Sequence, residues 1–128
     1  MARITLRDGR SFSAENDKRL VLALEDAGVD ILHRCGGNAR CTTCRVRFIE
    51  GEPHTMTEAE LERLTARGLL GEARLSCQIL CDHDMRVEPV QTLSSSDFDD
   101  PGPRPADHIT PDPVWIARPD MPPSQSSE

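Results

Sequence analysis

The chain has 128 residues, a length typical of one domain, and its 22 acidic against 15 basic residues give a formal net charge of -7. This acidity argues against a nucleic-acid partner, because binding to the phosphate backbone requires clustered Lys and Arg. No apolar run approaches the roughly 20 residues that cross a bilayer, and the N-terminus shows no signal-peptide pattern. We therefore expect a cytoplasmic, monomeric protein with no nucleic-acid or membrane partner.

Alternating apolar and polar side chains predict five strands. The first two flank Asp8-Gly9, which occupies the place of a two-residue hairpin turn. The fourth strand carries Cys77. The predicted strands are residues 3–7, 10–14, 45–49, 74–79 and 86–90.

Two amphipathic helices separate these strands. The first is predicted over residues 17–27, with Asn16 or Asp17 as its N-cap. The second begins with the capping box Thr57-Glu58-Ala59-Glu60, in which a threonine and a glutamate three residues apart satisfy free N–H groups. The resulting element order, ββαβαββ, predicts an α+β fold.

Residues 94–128 have the composition of a tail. They hold eight of the ten prolines and seven acidic residues against two arginines, so we expect a Pro-rich acidic segment that is disordered beyond a folded body of residues 1–93. Within it, Val114-Trp115-Ile116 is an apolar island with the only tryptophan. This island either packs on its own domain, stays mobile or docks on a partner.

Residues 35–44, CGGNARCTTC, hold three cysteines, and with Cys77 the spacing is C-x5-C-x2-C-x32-C. In a reducing compartment such thiols are metal ligands or redox groups rather than structural disulfides. Gly36 and Gly37 let the backbone approach bridging sulfides closely and direct N–H groups at sulfur. The pattern therefore favours a [2Fe-2S] cluster with four thiolate ligands, whose negative charge three nearby arginines would offset: Arg34, Arg40 and Arg45.

Two other chemistries fit part of the cysteine pattern. Cys41, Cys44, Cys77 and Cys81 have a spacing that a structural zinc site could use, but this choice leaves Cys35 and the glycines without a role. A thioredoxin-like redox pair at Cys41 and Cys44 should open a helix, whereas alternating residues of a strand follow Cys44. In the cluster interpretation, Cys81 is expected to be a small half-buried thiol, with a substitute ligand or a redox-sensitive thiol as the alternatives. His33 is expected to be a solvent-facing loop residue rather than one that tunes the potential of the cluster.

The stretch from Cys35 to Val46, followed by Arg74-Leu75-Ser76-Cys77-Gln78, resembles the [2Fe-2S] ferredoxin family. The resemblance implies a β-grasp fold, a mixed sheet packed on a helix with a cluster-binding loop. It also implies that Cys35, Cys41, Cys44 and Cys77 ligate the cluster. Five residues separate the first two cysteines, as in adrenodoxin-like and some bacterial ferredoxins.

The resemblance implies an electron carrier without substrate chemistry of its own, which passes single electrons from a reductase to an acceptor enzyme. The loop from Arg34 to Thr43 is the expected contact with these redox partners. An alternative function is an iron-sulfur sensor or regulatory module, in which the tail and Trp115 relay the state of the cluster.

Overall fold

The computed structural model describes residues 2–34, 36–40, 42–93, 99 and 102–117. Its strands and helices follow the predicted order, and two further short strands are added to it. The strands are β1 (Ala2–Leu6), β2 (Ser11–Ala14), β3 (Arg45–Glu50), β4 (Thr55–Thr57), β5 (Arg74–Leu75), β6 (Met85–Pro89) and β7 (Trp115–Ala117). The α-helices are α1 (Leu20–Asp26) and α2 (Glu58–Ala66).

The main sheet has the strand order β2-β1-β6-β3-β5. Strand β1 pairs antiparallel with β2 and parallel with β6, while β3 pairs antiparallel with both β6 and β5. The apolar side chains of α1 are fully buried in the same core cluster as those of β1, β3 and β6. The predicted α+β fold, a mixed sheet packed on a helix, is confirmed.

The first hairpin differs from its prediction in the length of its turn. The N–H of Leu6 donates to the carbonyl of Arg10 over 2.7 Å, so three residues lie between the paired positions rather than two. Gly9 ends this turn with a φ of +96°, the left-handed conformation that a three-residue hairpin loop requires.

Helix α1 begins three residues later than predicted, and neither Asn16 nor Asp17 caps it. The chain from residue 15 to residue 18 forms a turn instead, and Arg19 occupies the N-cap position without a side-chain cap. The N–H of Leu20 donates to the carbonyl of Ile79 over 2.8 Å, so the backbone of a distant segment satisfies an N–H group at the start of the helix in place of a capping side chain. Leu20 and Ile79 are far apart in the sequence, so local sequence patterns could not predict this contact.

The predicted strand over residues 74–79 is wrong beyond its first two residues. Strand β5 ends at Leu75, and Ser76–Gln78 form a 3₁₀ turn that carries Cys77. Ser76, Cys77 and Gln78 are all buried, so this turn lies inside the protein.

Residues 102–117, which we call the C-terminal strap, are ordered against the body, so the disorder predicted for the tail does not extend to them. Strand β7 pairs antiparallel with β4, with Ile116 opposite Met56, so of the three alternatives for the apolar island the structure shows packing on its own domain. Ile109 is buried, and Arg104 forms ion pairs with Glu25 and Asp26 at the end of α1. The disorder predicted for residues 94–98, 100–101 and 118–128 falls outside the described residues.

A buried ion pair connects α2 to β5. The capping threonine is confirmed, since Thr57 Oγ1 accepts from the N–H of Glu60 over 3.1 Å. The carboxylate of Glu60 faces inward and accepts from Arg74 Nε over 2.7 Å, from Arg74 Nη2 over 3.0 Å and from the N–H of Leu75 over 2.8 Å. Burial alone would lower the pKa of Arg74, but the bonds to Glu60 outweigh it and raise that pKa above its ordinary value.

Replacing Glu60 should destabilise the fold strongly. Glu60→Ala removes the closest carboxylate partner of the buried Arg74 and leaves the more distant Glu52, 3.4 Å from Nη1; removal of one member of such a pair costs about 3–5 kcal/mol of the free energy of unfolding. The apparent thermal midpoint, followed by circular dichroism, should fall by at least about 10 °C. Glu62→Ala is the matched control on the exposed face of α2 and should shift it by less than about 2 °C. Equal shifts for the two variants would contradict the structural role of the pair.

Candidate metal centre

The loop that connects α1 to β3 has an unusual run of left-handed backbone. Gly36 has a φ of +70°, Gly37 of +82° and Ala39 of +57°. Left-handed residues close together turn successive N–H groups toward one side of the chain, which creates a concave surface that suits anions. The two glycines therefore have the backbone geometry that the sequence predicted for them, while Cys35 and Cys41 lie outside the described residues.

Strand pairing brings Cys44 next to the turn that carries Cys77. Arg45 pairs with Leu75, and the next residue, Ser76, donates to the carbonyl of Cys44 from its N–H over 3.2 Å and from its Oγ over 2.7 Å. Both cysteines are buried and free of disulfides. Two of the four predicted ligands, which are 33 positions apart in the sequence, thus belong to one hydrogen-bonded unit.

Gln78 is a residue of the site that sequence reasoning missed. Its side chain is fully buried, and Nε2 lies 3.6 Å from Cys77 Sγ, a distance suitable for an N–H···S bond. The amide is held at both ends, since Oε1 accepts from Thr57 Oγ1 over 2.7 Å and Nε2 donates to the carbonyl of Thr110 over 2.9 Å. This donor is therefore fixed in place beside a predicted ligand by α2 and the C-terminal strap.

Arg19 is the second missed residue, and it is fully buried. Its guanidinium donates from Nε and Nη2 to the carbonyl of Cys77 over 3.0 and 2.8 Å, and from Nη2 to the carbonyl of Gly37. In the sequence it is one of several charged residues at the start of an amphipathic helix, where exposure is the ordinary outcome. The only signal was its position just before the apolar run that begins at Leu20.

The three predicted arginines have different environments. Arg34 and Arg40 are exposed on the loop. Arg45 is half-buried, and its Nη1 lies 3.4 Å from Thr42 Oγ1. A further arginine from α2, Arg63, donates to the carbonyl of Ala39 over 3.3 Å, so α2 also contributes positive charge to the rim of the loop.

The prediction that His33 faces solvent is wrong. His33 is 1% exposed, and its Nε2 contacts the carboxylate of Glu25 in α1. The C-terminal strap covers its backbone, because a Cβ added at Gly102 would lie 2.5 Å from the carbonyl oxygen of His33. No local sequence pattern indicated that the C-terminal strap packs on this loop, which explains the wrong prediction.

Cys81 is fully buried, deeper than the half-buried position predicted for it, and its backbone N–H donates to the carbonyl of Lys18 over 2.9 Å. Burial, with a smaller contribution from Asp82, raises the pKa of its thiol to about 12. In the absence of a metal, the environment of Cys81 is therefore that of a buried core cysteine.

The described part of the site fits a [2Fe-2S] cluster. Two buried cysteines, Cys44 and Cys77, adjoin a loop with left-handed backbone, a fixed amide donor faces one sulfur, and arginines lie around the loop. Backbone that can wrap around bridging sulfides, N–H donors to sulfur and compensating positive charge are the requirements of a negatively charged iron-sulfur centre. Together with the sheet topology, these features define a ferredoxin-type domain.

Comparisons with known proteins agree with this class. Residues 4–82 match the family model of the 2Fe-2S iron-sulfur cluster binding domain, and the chain belongs to this family. The structure is similar to that of an ISC-like [2Fe-2S] ferredoxin from Pseudomonas putida, with a TM-score of 0.58 and 24% identity over 73% of this chain and 96% of that one. It is also similar to reduced putidaredoxin from the same species, with a TM-score of 0.51 and 25% identity over 71% of this chain and 97% of that one.

Among curated proteins, the chain is similar to one component of the Na(+)-translocating NADH-quinone reductase of Chlamydia felis. The two are 32% identical over 81 residues, which are 63% of this chain and 19% of that protein. The chain thus matches about a fifth of the length of this relative. No helix within the described residues is both long and apolar enough to cross a membrane.

The raised pKa of Cys81 predicts a loss of stability at alkaline pH. A thiol with an ordinary pKa of 9.0 in the unfolded chain and about 12 in the folded protein favours folding below pH 9, and this advantage disappears as the pH rises toward 12. Between pH 8 and pH 10 the native protein should lose about 1 kcal/mol more unfolding free energy than Cys81→Ala, which lacks the thiol. Thermal unfolding at the two pH values measures the difference. Parallel behaviour of both proteins would contradict the assignment.

Proposed function

We propose that this chain is a one-electron carrier in which Cys35, Cys41, Cys44 and Cys77 ligate a [2Fe-2S] cluster. The observation that supports it most directly is the bonding of Ser76 to the carbonyl of Cys44, which joins the end of the cysteine loop to the turn of Cys77. In this proposal residues 1–93 are the ferredoxin-type domain and residues 94–128 are its appended tail. The predicted cytoplasmic location and monomeric state stay predictions.

When bound, the cluster supplies reversible acceptance and release of one electron. The protein's contribution is to hold the ligands in one geometry, so that little rearrangement accompanies the change of charge. Cys44 and Cys77 are fixed by backbone bonds within the core, and Gln78 holds a donor toward the Cys77 sulfur. In this proposal these residues hold the cluster and perform no bond-making chemistry on a substrate.

The partners in this proposal are a reductase that supplies electrons and an acceptor enzyme that receives them. The similarity to a component of the NADH-quinone reductase of Chlamydia felis, over 19% of that protein, supports a connection to NADH-dependent electron supply. The exposed part of the loop, with Arg34 and Arg40, is the proposed exit point for electrons.

Single cysteine substitutions should separate the proposed ligands from Cys81. Cys35→Ala and Cys77→Ala should each reduce bound iron at least tenfold, because a two-iron centre with three thiolates lacks one coordination position. Cys81→Ala, the matched control, should retain the native iron content and visible spectrum. Iron and acid-labile sulfide are counted per chain after anaerobic purification. If Cys35→Ala retained full metal while Cys81→Ala lost it, the zinc alternative would replace the cluster.

The same samples distinguish a carrier from a sensor. The native protein should fit a one-electron Nernst curve in a spectroelectrochemical titration and return to its starting spectrum over repeated cycles. Loss of the cluster during the first oxidation would support a sensor instead.

Charge reversal on the loop should change electron exit to small oxidants in opposite directions. At low ionic strength, Arg40→Glu should slow oxidation of the reduced protein by anionic ferricyanide at least threefold and accelerate oxidation by cationic hexaamminecobalt(III), because it reverses one local charge. Both effects should shrink in 0.5 M salt, where the screening length is only about 4 Å. Stopped-flow kinetics measure the rates.

The control for this experiment is Arg10→Glu in the turn after β1. Its side chain is exposed, and β2, which follows it, is at the opposite edge of the main sheet from β5. The substitution changes the net charge equally. If it altered the two rates as much as Arg40→Glu, the loop would not be the exit point.

A further inference from the structure

The buried guanidinium of Arg19 lies where three separate segments meet. One is the 3₁₀ turn with Cys77, the second is the cysteine loop at Gly37, and the third is the C-terminal strap. Toward the strap, Nη1 donates to the carbonyl of Ala106 over 2.8 Å and to that of His108 over 3.0 Å. The side chain of Arg19 is fully buried, and a buried charge is costly unless it is hydrogen-bonded or paired, so its position requires an explanation.

The loop is shaped to admit this guanidinium. A Cβ added at Gly37 would lie 2.6 Å from Arg19 Nη2 and 2.7 Å from Pro105 Cβ, distances at which atoms overlap. Gly37 also has a φ of +82°, so glycine is required there for two reasons. The strap adds its own bond to the loop, since Thr110 Oγ1 lies 3.4 Å from the carbonyl of Gly37. Arg19, the loop and the strap are therefore packed as one unit.

Burial of a guanidinium costs several kcal/mol, and hydrogen bonds together with nearby negative charge reduce this cost. Four thiolates around two bridged irons have a net negative charge, and the addition of an electron makes it more negative. Since Arg19 bonds to the backbone of Cys77 and of the loop, its positive charge lies beside the place where this negative charge would form.

We propose that Arg19, held in place by the carbonyl groups of the C-terminal strap, is a positioning residue that raises the reduction potential of the iron-sulfur centre and couples the strap to it. This inference rests on the proposed function. A fixed positive charge stabilises the more negative, reduced state over the oxidised state, and burial prevents solvent from screening it. The strap acts through Arg19, because its carbonyl groups at Ala106 and His108 orient the guanidinium toward Cys77.

Arg19→Met tests the inference, since it removes the charge and retains a side chain of similar length. At a fixed ambient potential near the native midpoint, the ratio of reduced to oxidised protein should fall at least tenfold, which for one electron corresponds to a shift of about 59 mV toward negative values. Arg19→Lys retains a positive charge, and its ratio should stay within threefold of the native value. Arg47→Met removes an exposed arginine of β3 and is the matched control, which should leave the ratio within twofold.

Hydrogen exchange gives a second readout that does not depend on electron transfer. Without the guanidinium, the strap loses its bonds at Ala106 and His108, so exchange across residues 102–112 should accelerate at least tenfold in Arg19→Met and stay unchanged in Arg47→Met.

The inference is overturned if Arg19→Met has the native ratio, or if Arg19→Lys shifts it as far as Arg19→Met does. Should Arg19→Met fail to fold, Arg19→Gln supplies a neutral variant that keeps an amide donor. A tenfold fall in the ratio of reduced to oxidised protein in Arg19→Lys would also overturn the role of the positive charge. Iron and sulfide counts of the native protein separate the two levels. A native protein without two irons refutes the proposed function. A two-iron cluster whose reduction potential does not change in Arg19→Met refutes only this inference.

Discussion

The geometry of the site depends on the buried bond between the carboxylate of Glu60 and the strand that precedes Cys77. This carboxylate accepts from the side chain of Arg74 and from the N–H of Leu75, so α2 fixes both members of β5. Strand β5 has only two residues and pairs with the start of β3, immediately after Cys44. Without an anchor on its other side, such a short strand would provide little constraint on where the next residue lies. The ion pair thus determines how Cys77 approaches the loop.

A second layer of contacts closes the site from the opposite direction. The C-terminal strap lies over the loop, its carbonyl groups bind Arg19 and Gln78, and both of these residues contact Cys77. The arrangement places a guanidinium and an amide beside one predicted ligand without using an exposed side chain. Arg34 and Arg40 are exposed at the rim of the loop, on the surface proposed to meet redox partners. In the proposed roles, the buried charge of Arg19 affects the reduction potential of the cluster, and the exposed charges affect the encounter with redox partners.

The sequence predicted the fold well because its signals are local. Alternation identified the strands of the main sheet, and Thr57 marked the start of α2 correctly. The glycines of the cysteine loop were recognised because few residue types other than glycine adopt left-handed backbone readily. The family was also recognisable from the cysteine spacing, and the match to the cluster-binding family over residues 4–82 confirms it.

The wrong turn length of the first hairpin is a local error, but most of the other errors depended on a partner far away in the sequence. Arg19 is buried because the strap and Cys77 supply carbonyl groups from more than 50 positions away. His33 is buried because the strap covers its backbone. Glu60 was predicted to complete a capping box and instead binds Arg74, which is 14 positions away. The Pro-rich, acidic composition of the tail predicted disorder, because composition contains no information about the surface on which residues 102–117 pack.

The claim on which this account depends is that the protein binds a two-iron cluster. The most direct measurement is a count of iron and acid-labile sulfide in the full chain purified without oxygen, together with an electron paramagnetic resonance spectrum after reduction. The account predicts about two irons and two sulfides per chain, and a signal that appears only in the reduced state, from one unpaired electron shared by the two irons. A colourless protein with a single zinc and no sulfide would contradict it.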